Sequence, residues 1–193
     1  AFIETERTMR RLSVLRLPLQ RVATRFYGLF SIAELQKPSD FAVLSNEAIE
    51  TCNRIRSEIA TTVASDAPLS NVADLKQILR QLDDISLHVC NVIDVAECCR
   101  NSHLDENWRE AAGVAFTRLA DFMGILNADR NLYQALQKVN RDSLFHSLTE
   151  EDQRFVHLLQ AEFERDGIHL DDSQRNTVRS LQNDITELES RFN

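Results

Sequence analysis

The strongest constraint on the fold is a run of apolar residues spaced three and four apart in the middle of the chain. The run comprises Leu75, Ile78, Leu82, Ile85, Val89, Val92 and Ala96. Positions three and four apart share one face of an α-helix, because the helix turns once every 3.6 residues or so, about 100° per residue. The run therefore predicts an amphipathic helix that begins at Ser70 and buries one face against other helices.

The same spacing predicts five further helices along the chain. They are a first helix after Pro38 with Phe41 to Val63, a third from near Asp105, a fourth around Leu132 to Val139, a fifth from Thr149, and a last one capped by Asp171 or Ser173. Only four glycines and three prolines are present, and so few turn-forming residues favour long helices over short strands. We expect an all-α fold, an array of about six helices.

Two of these helices carry additional patterns. In the third helix, Gly113, Ala120 and Gly124 form a stripe of small residues that predicts the close approach of another backbone. The core face of the fifth helix is expected to consist of Phe155, Leu158, Leu159 and Phe163. Gly167 stands where a left-handed residue ends that helix, and we expect an extended link over residues 168–170.

The N-terminal stretch is basic, and no acidic residue occurs between Arg7 and Ala33. Its arginines are Arg7, Arg10, Arg11, Arg16, Arg21 and Arg25. Arginines mixed with apolar residues are typical of mitochondrial targeting segments and of helices on anionic membranes. We predict an Arg-rich N-terminal arm over residues 1–27 and a helical domain over residues 28–193. The arm is expected to bind a partner protein or anionic lipid, and a loosely packed extension of the fold is the alternative.

The last predicted helix carries a second candidate partner surface. Leu181, Ile185, Leu188 and Phe192 recur at a coiled-coil spacing, and we expect them to bind another protein subunit.

A net charge of -8 argues against a general nucleic-acid-binding surface, because phosphate neutralisation needs clustered Lys and Arg.

Residue patterns for enzyme chemistry are absent from the sequence. A zinc peptidase places two histidines one helical turn apart beside a glutamate, but no two histidines here are four residues apart. We therefore predict no catalytic, metal-binding or cofactor-binding residue in this chain. Asp94, Glu97 and Arg100 are interpreted as a surface ion-pair group. The four cysteines are interpreted as buried free thiols, and His88 and His157 as half-buried packing residues.

Four segments together resemble a known family, and they occur in that family's order. They are Gly28-Leu29-Phe30 leading to Glu34-Leu35, Asp83 to His103 followed by Arg109 to Ala112, Leu126-Asn127 with Asn131 to Leu136, and Phe163-Glu164 with Gly167 to Asp171. From about residue 27 to residue 193 the chain resembles the N-terminal helical region of the mitochondrial intermediate peptidases, which are zinc metallopeptidases of the thimet oligopeptidase family.

The resemblance implies a fold, a location and an activity. Members of the family are mitochondrial-matrix enzymes that trim short peptides from imported precursors already cut once. Their fold is almost wholly helical, with a deep substrate channel, and the matched portion resembles one wall of that channel. Their zinc motif lies far downstream, so no catalytic or metal residue can be assigned to this chain. The implied location is the matrix or the matrix-facing side of the inner membrane.

Three functional hypotheses follow. In the first, the chain is a non-catalytic structural or adaptor subunit of a mitochondrial assembly, with other protein subunits as its partners. In the second, it is the N-terminal piece of a mitochondrial intermediate peptidase that trims imported precursors, and the zinc site lies on a missing or separate C-terminal part. In the third, it binds presequence peptides without hydrolysis, because an acidic body attracts Arg-rich presequences.

Overall fold

The computed structural model describes residues 28–65, 69 and 71–190. These residues form six α-helices and no strand: α1 (Asp40–Ala64), α2 (Val72–Ser102), α3 (Glu106–Asn127), α4 (Arg130–Arg141), α5 (Glu150–Arg165) and α6 (Asp172–Ser190). The predicted all-α fold with six helices is confirmed. Among the described residues, no helix combines the length and the apolar character that crossing a membrane requires.

Backbone contacts divide the chain into two units, Ala1–Gln36 and Lys37–Asn193. The predicted Arg-rich arm, residues 1–27, lies outside the described part of the first unit, so the predicted boundary after residue 27 stays a prediction.

Residues 28–36 of the first unit form a closed turn. The Leu29 amide donates a hydrogen bond to the Leu35 carbonyl at 2.7 Å. A Cβ atom at Gly28 would lie 1.8 Å from the carbonyl oxygen of Ile32, so only glycine fits at this position.

The core of the second unit lies between α1, α2, α3 and α4. Helix α1 packs against α2, α3 and α4, while α5 packs against α2 and α4. All seven residues of the predicted apolar run on α2 are buried, which confirms that prediction. Helix α6 makes only sparse contacts with the other described helices.

Side-chain caps set the first residues of α2, α3, α4 and α5. Asn71, Asp105, Asp129 and Thr149 each accept a hydrogen bond from a backbone amide two or three residues further along. These bonds satisfy amides that the first turn of a helix leaves without a partner. The predicted starts near Asp105 and at Thr149 are confirmed, and α2 is capped by Asn71.

No part of the described chain makes the predicted close approach to α3. A Cβ atom added at Gly113 or Gly124 would meet no atom within 4 Å, and Ala120 is exposed. Small residues on a helix permit a close neighbour but do not create one. Within the described chain, this side of α3 is open.

The predicted core face of α5 is partly wrong. Phe163 is buried and Phe155 and Leu159 are half-buried, but Leu158 is 55% exposed. The buried partner of Phe163 is Val156, seven residues earlier on the same face. Leu158 lies two residues beyond Val156, about 200° around the helix, and therefore faces away from α4.

The predicted extended link at residues 168–170 is also wrong, because the chain turns tightly there. The Gly167 amide donates to the Glu164 carbonyl at 3.0 Å, and the Ile168 amide donates to the Phe163 carbonyl at 3.2 Å. This bond pattern is a Schellman motif, which requires the left-handed φ of +80° found at Gly167. The turn buries Ile168 beneath the end of α5, and Asp171 then caps α6 as predicted.

Replacing Gly167 by alanine is expected to lower the free energy of unfolding by about 1–2 kcal/mol, because a Cβ atom is unfavourable at positive φ. That Cβ atom would also lie 3.2 Å from Cδ1 of Leu170. The matched control is Gly113→Ala, in a helix interior with open space around it, and it should stabilise the fold by about 0.5–1 kcal/mol. Urea denaturation measures both changes. Equal midpoints for the two variants would contradict the role assigned to Gly167.

Candidate functional site

The predicted partner-binding residues fall into two groups. The arm residues Arg7, Arg10, Arg11, Arg16, Arg21 and Arg25, together with Phe192, lie outside the described residues. Leu181, Ile185 and Leu188 lie on one face of α6 and are 56%, 55% and 54% exposed. We call these three residues the α6 stripe. The structure therefore places them together on a solvent-facing surface, and their binding role stays a prediction.

A groove of about 1040 Å³ runs beside this stripe, between α6 and the corner where α3 meets α4. Its lining residues are Arg56, Asp121, Gly124, Ile125, Asn127, Ala128, Asp129, Arg130, Asn131, Asp166, Ile168, Arg175 and Ile185. We call this cleft the α6 groove. Ile185 contributes to one side. Gly124 and Ile125 of α3, with Ala128 just after that helix, contribute apolar surface to the other. Most of the lining residues are exposed, so the groove is an open cleft.

An ion pair links two of the lining helices. The Arg56 guanidinium donates from Nε and Nη2 to Oδ2 of Asp129, at 2.7 Å and 2.5 Å. The Asp129 side chain is only 7% exposed, so water screens the pair weakly. The other carboxylate oxygen, Oδ1, accepts from the Asn131 amide at 2.8 Å and caps α4. One carboxylate therefore holds the start of α4 against α1.

The charged residues of the α6 groove are balanced. Its lining includes three aspartates, Asp121, Asp129 and Asp166, and three arginines, Arg56, Arg130 and Arg175. The groove consequently has no net charge that would attract a strongly basic or strongly acidic ligand.

Apart from Gly124, which belongs to the predicted stripe of small residues, the α3 and α1 sides of this groove were not predicted from the sequence. Ile125 is 55% exposed, next to the buried Leu126, and only its position off the core face signals this. The signal for Asp129 was local, since an aspartate before a helical run is typical of an N-cap. No local signal connects Asp129 to Arg56, which lies 73 residues earlier.

A polar network joins α4 to α5. Glu164 Oε1 accepts hydrogen bonds from Gln160 at 2.7 Å and from the Tyr133 hydroxyl at 2.9 Å. The bonds from Gln160 and Tyr133, with His169 nearby, lower the pKa of the Glu164 carboxyl. Burial and the bond to Glu164 raise the pKa of Tyr133. These shifts arise from a contact between two helices, α4 and α5.

The Glu164 network predicts an acid-sensitive contribution to stability. The pKa of Glu164 is lowered in the folded chain. The stabilising effect of the ionised Glu164 carboxylate is therefore complete above the ordinary carboxyl pKa of about 4.3. This effect is lost as pH falls through the lowered pKa of the folded chain. Glu164→Gln removes this ionisation. We expect the variant to be less stable than the parent at neutral pH and to match it in strong acid. Urea midpoints from about pH 7 to about pH 3 measure the difference, and parallel curves for the two proteins would contradict it.

The described residues do not fit a zinc site. Among them, no group of three or more His, Cys, Asp or Glu side chains could hold a metal ion. His88 is half-buried as predicted, but His157 is exposed, with its ring 5.5 Å from that of Phe145. The His157 ring covers Phe145 from the solvent side. The prediction that His157 is half-buried is therefore wrong.

The cysteines are free thiols, but they are not uniformly buried. Cys52 and Cys99 are buried, Cys90 is half-buried and Cys98 is exposed. Burial raises the pKa of Cys52 to about 11, so its reactive thiolate form is scarce at neutral pH. Of the predicted surface ion-pair group, the pair of Glu97 with Arg100 is confirmed, with Arg100 Nε at 2.5 Å from Glu97 Oε2, and the part of Asp94 stays a prediction.

Comparisons with known proteins show clear relatives. The chain is 36% identical to the mitochondrial intermediate peptidase of Malassezia globosa over 159 residues, which is 82% of this chain and 19% of that protein. It is 34% identical to the Arabidopsis thaliana mitochondrial intermediate peptidase over 161 residues, covering 83% of this chain and 21% of the relative. No protein-family model and no solved structure matches the chain.

The chain spans about a fifth of the length of the curated relatives it matches. Their names agree with the mitochondrial location that the sequence segments implied. They also favour the second functional hypothesis, a piece of the peptidase, over the adaptor subunit, which they do not support. The chain is therefore a homologue of the N-terminal helical region of the mitochondrial intermediate peptidases, as the four sequence segments predicted.

Proposed function

We propose that this chain is the N-terminal helical part of a mitochondrial intermediate peptidase that trims short peptides from imported precursor proteins in the matrix. The observation that carries the proposal is the similarity of 31–36% identity over most of the chain to proteins of that name. The similarity covers 82–90% of the chain rather than one short motif, which supports descent from a common protein.

The part played by these helices in such an enzyme is structural. The described residues do not fit a zinc site, so the peptide bond would be cleaved by residues elsewhere in the polypeptide. The packed helices α1 to α4 supply a rigid body. That rigidity suits one wall of a substrate channel, which must hold its shape while a peptide passes.

Purification of the native polypeptide tests this function. An antibody against the α1–α5 region would isolate the protein from mitochondria of the source organism, and zinc and peptidase activity would be measured on the same sample. We expect about one zinc ion per polypeptide, as in mononuclear catalytic sites. We also expect cleavage of a presequence-derived octapeptide, with loss of activity after chelation and recovery when zinc returns.

Two results would decide against the proposal. A native polypeptide with neither zinc nor octapeptide cleavage would support the adaptor hypothesis. Saturable binding of the octapeptide without cleavage, again without zinc, would support the third hypothesis, a presequence-binding module.

A further inference from the structure

We propose that an amphipathic helix from the remaining part of the same polypeptide docks in the α6 groove and covers the α6 stripe. This inference rests on the proposed function, because it takes its occupant from the larger protein of which the chain would be a part. It goes further by naming the surface that joins the two parts and the chemistry of the segment that binds there.

The residues of the α6 stripe are exposed in the described chain. Leu181, Ile185 and Leu188 are each more than half exposed, although they occupy one face of a single helix. Scattered exposed leucines are ordinary on protein surfaces, whereas an apolar stripe at helical spacing is typical of a helix that packs against another. Within the described chain, α6 makes only sparse contacts, so its apolar face lacks a packed neighbour there.

Apolar surface also lies on the opposite side of the groove. Gly124, Ile125 and Ala128 lie on the α3 side and Ile185 lies on the α6 side, so a segment in the cleft would touch apolar atoms on both. A Cβ atom at Gly124 would meet nothing within 4 Å, which leaves room for a helix to come close to α3. A helix in the groove would therefore be held by two apolar walls.

The charges of the groove indicate the chemistry of its occupant. The groove balances three aspartates against three arginines, and the Arg56 guanidinium already binds Asp129. An Arg-rich presequence would find no surplus of negative charge here. A helix with one apolar face and a mixed polar flank suits both the apolar walls and the balanced charges.

The length of the relatives indicates the source of that helix. The relatives are about five times as long as the matched segment, so most of such a polypeptide lies outside this chain. A segment tethered to the groove binds at a high effective concentration, and modest apolar contacts then suffice to hold it. A second copy of the chain would have to bind without that advantage.

Hydroxyl-radical footprinting of the native, full-length polypeptide tests the proposal. The modification of each leucine is normalised to its value after unfolding in urea. For Leu181 and Leu188 we expect about sevenfold less modification than their exposure in this chain implies. This factor is the ratio of the 54% exposure of Leu188 to the 8% exposure of the buried Leu126. Modification at the level of a side chain that is half exposed would overturn the proposal.

Matched variants and dilution separate the remaining outcomes. In the full polypeptide, Ile185→Asp should raise the modification of Leu181 and Leu188, whereas Leu158→Asp, at an equally exposed position on α5, should not. Protection that disappears on dilution would identify a second copy as the occupant and overturn the proposal. If the polypeptide contains zinc and cleaves the octapeptide but the stripe stays reactive, docking alone fails and the proposed function stands.

Discussion

Replacing Leu119 by alanine is expected to lower the free energy of unfolding by about 2–5 kcal/mol, the usual cost of Leu→Ala in a packed core. Leu119 is fully buried on α3, the helix that packs against both α1 and α2. Its removal would leave a cavity that three helices in contact cannot easily close. The single tryptophan, Trp108, lies in the first turns of α3 and gives a fluorescence signal for urea denaturation.

The control is the same substitution at Leu104, which is 97% exposed between α2 and α3. Leu104→Ala should change stability by no more than about 0.5 kcal/mol, because it removes no buried contact. Similar losses in the two variants would show that α3 is not packed as described.

Replacing Asp129 by alanine is expected to lower the free energy of unfolding by about 3 kcal/mol. The substitution leaves the Arg56 guanidinium without its carboxylate in a place that is poorly accessible to water, and breaking a buried pair costs roughly 3–5 kcal/mol. It also removes the cap of α4, worth about 1 kcal/mol. The Arg56 side chain retains 25% exposure, so water recovers part of this loss. Urea denaturation again measures the change.

Two further variants separate the ion pair from the cap. Asp129→Asn should keep the cap, since asparagine is a good N-cap residue, and its loss of stability reports the ion pair alone. Arg54→Ala breaks an exposed pair with Glu58 one turn away and should cost only about 0.3–0.5 kcal/mol. If Asp129→Asn were as stable as the parent, the ion pair would not contribute to the α1–α4 contact.

The positions of the helices could be predicted because their signals are local. The three-four spacing on α2 and the caps at Asp105 and Thr149 each involve residues within one or two turns. Such residues remain neighbours whatever the rest of the chain does, so the sequence contains enough information to place them.

The faces of the helices were harder to predict because distant residues determine them. On α5, Val156 and Leu158 are both apolar, but only the face with Val156 is buried. Contacts with α4 determine which face that is, such as the contact of Tyr133 with Phe163, whose ring centroids lie 6.0 Å apart. Likewise, the ion pair of Arg56 with Asp129 follows only from the packing of α1 on α4. The α6 groove, which depends on that same corner, could not be read from sequence spacing.

The length of the native polypeptide tests most directly the proposal that this chain is part of a much longer peptidase. Mass spectrometry of the mature protein from mitochondria of the source organism would give that length. We expect peptides from α1 to α6 to come from a polypeptide about five times as long as the matched segment. A mature protein no longer than these 193 residues would contradict the account.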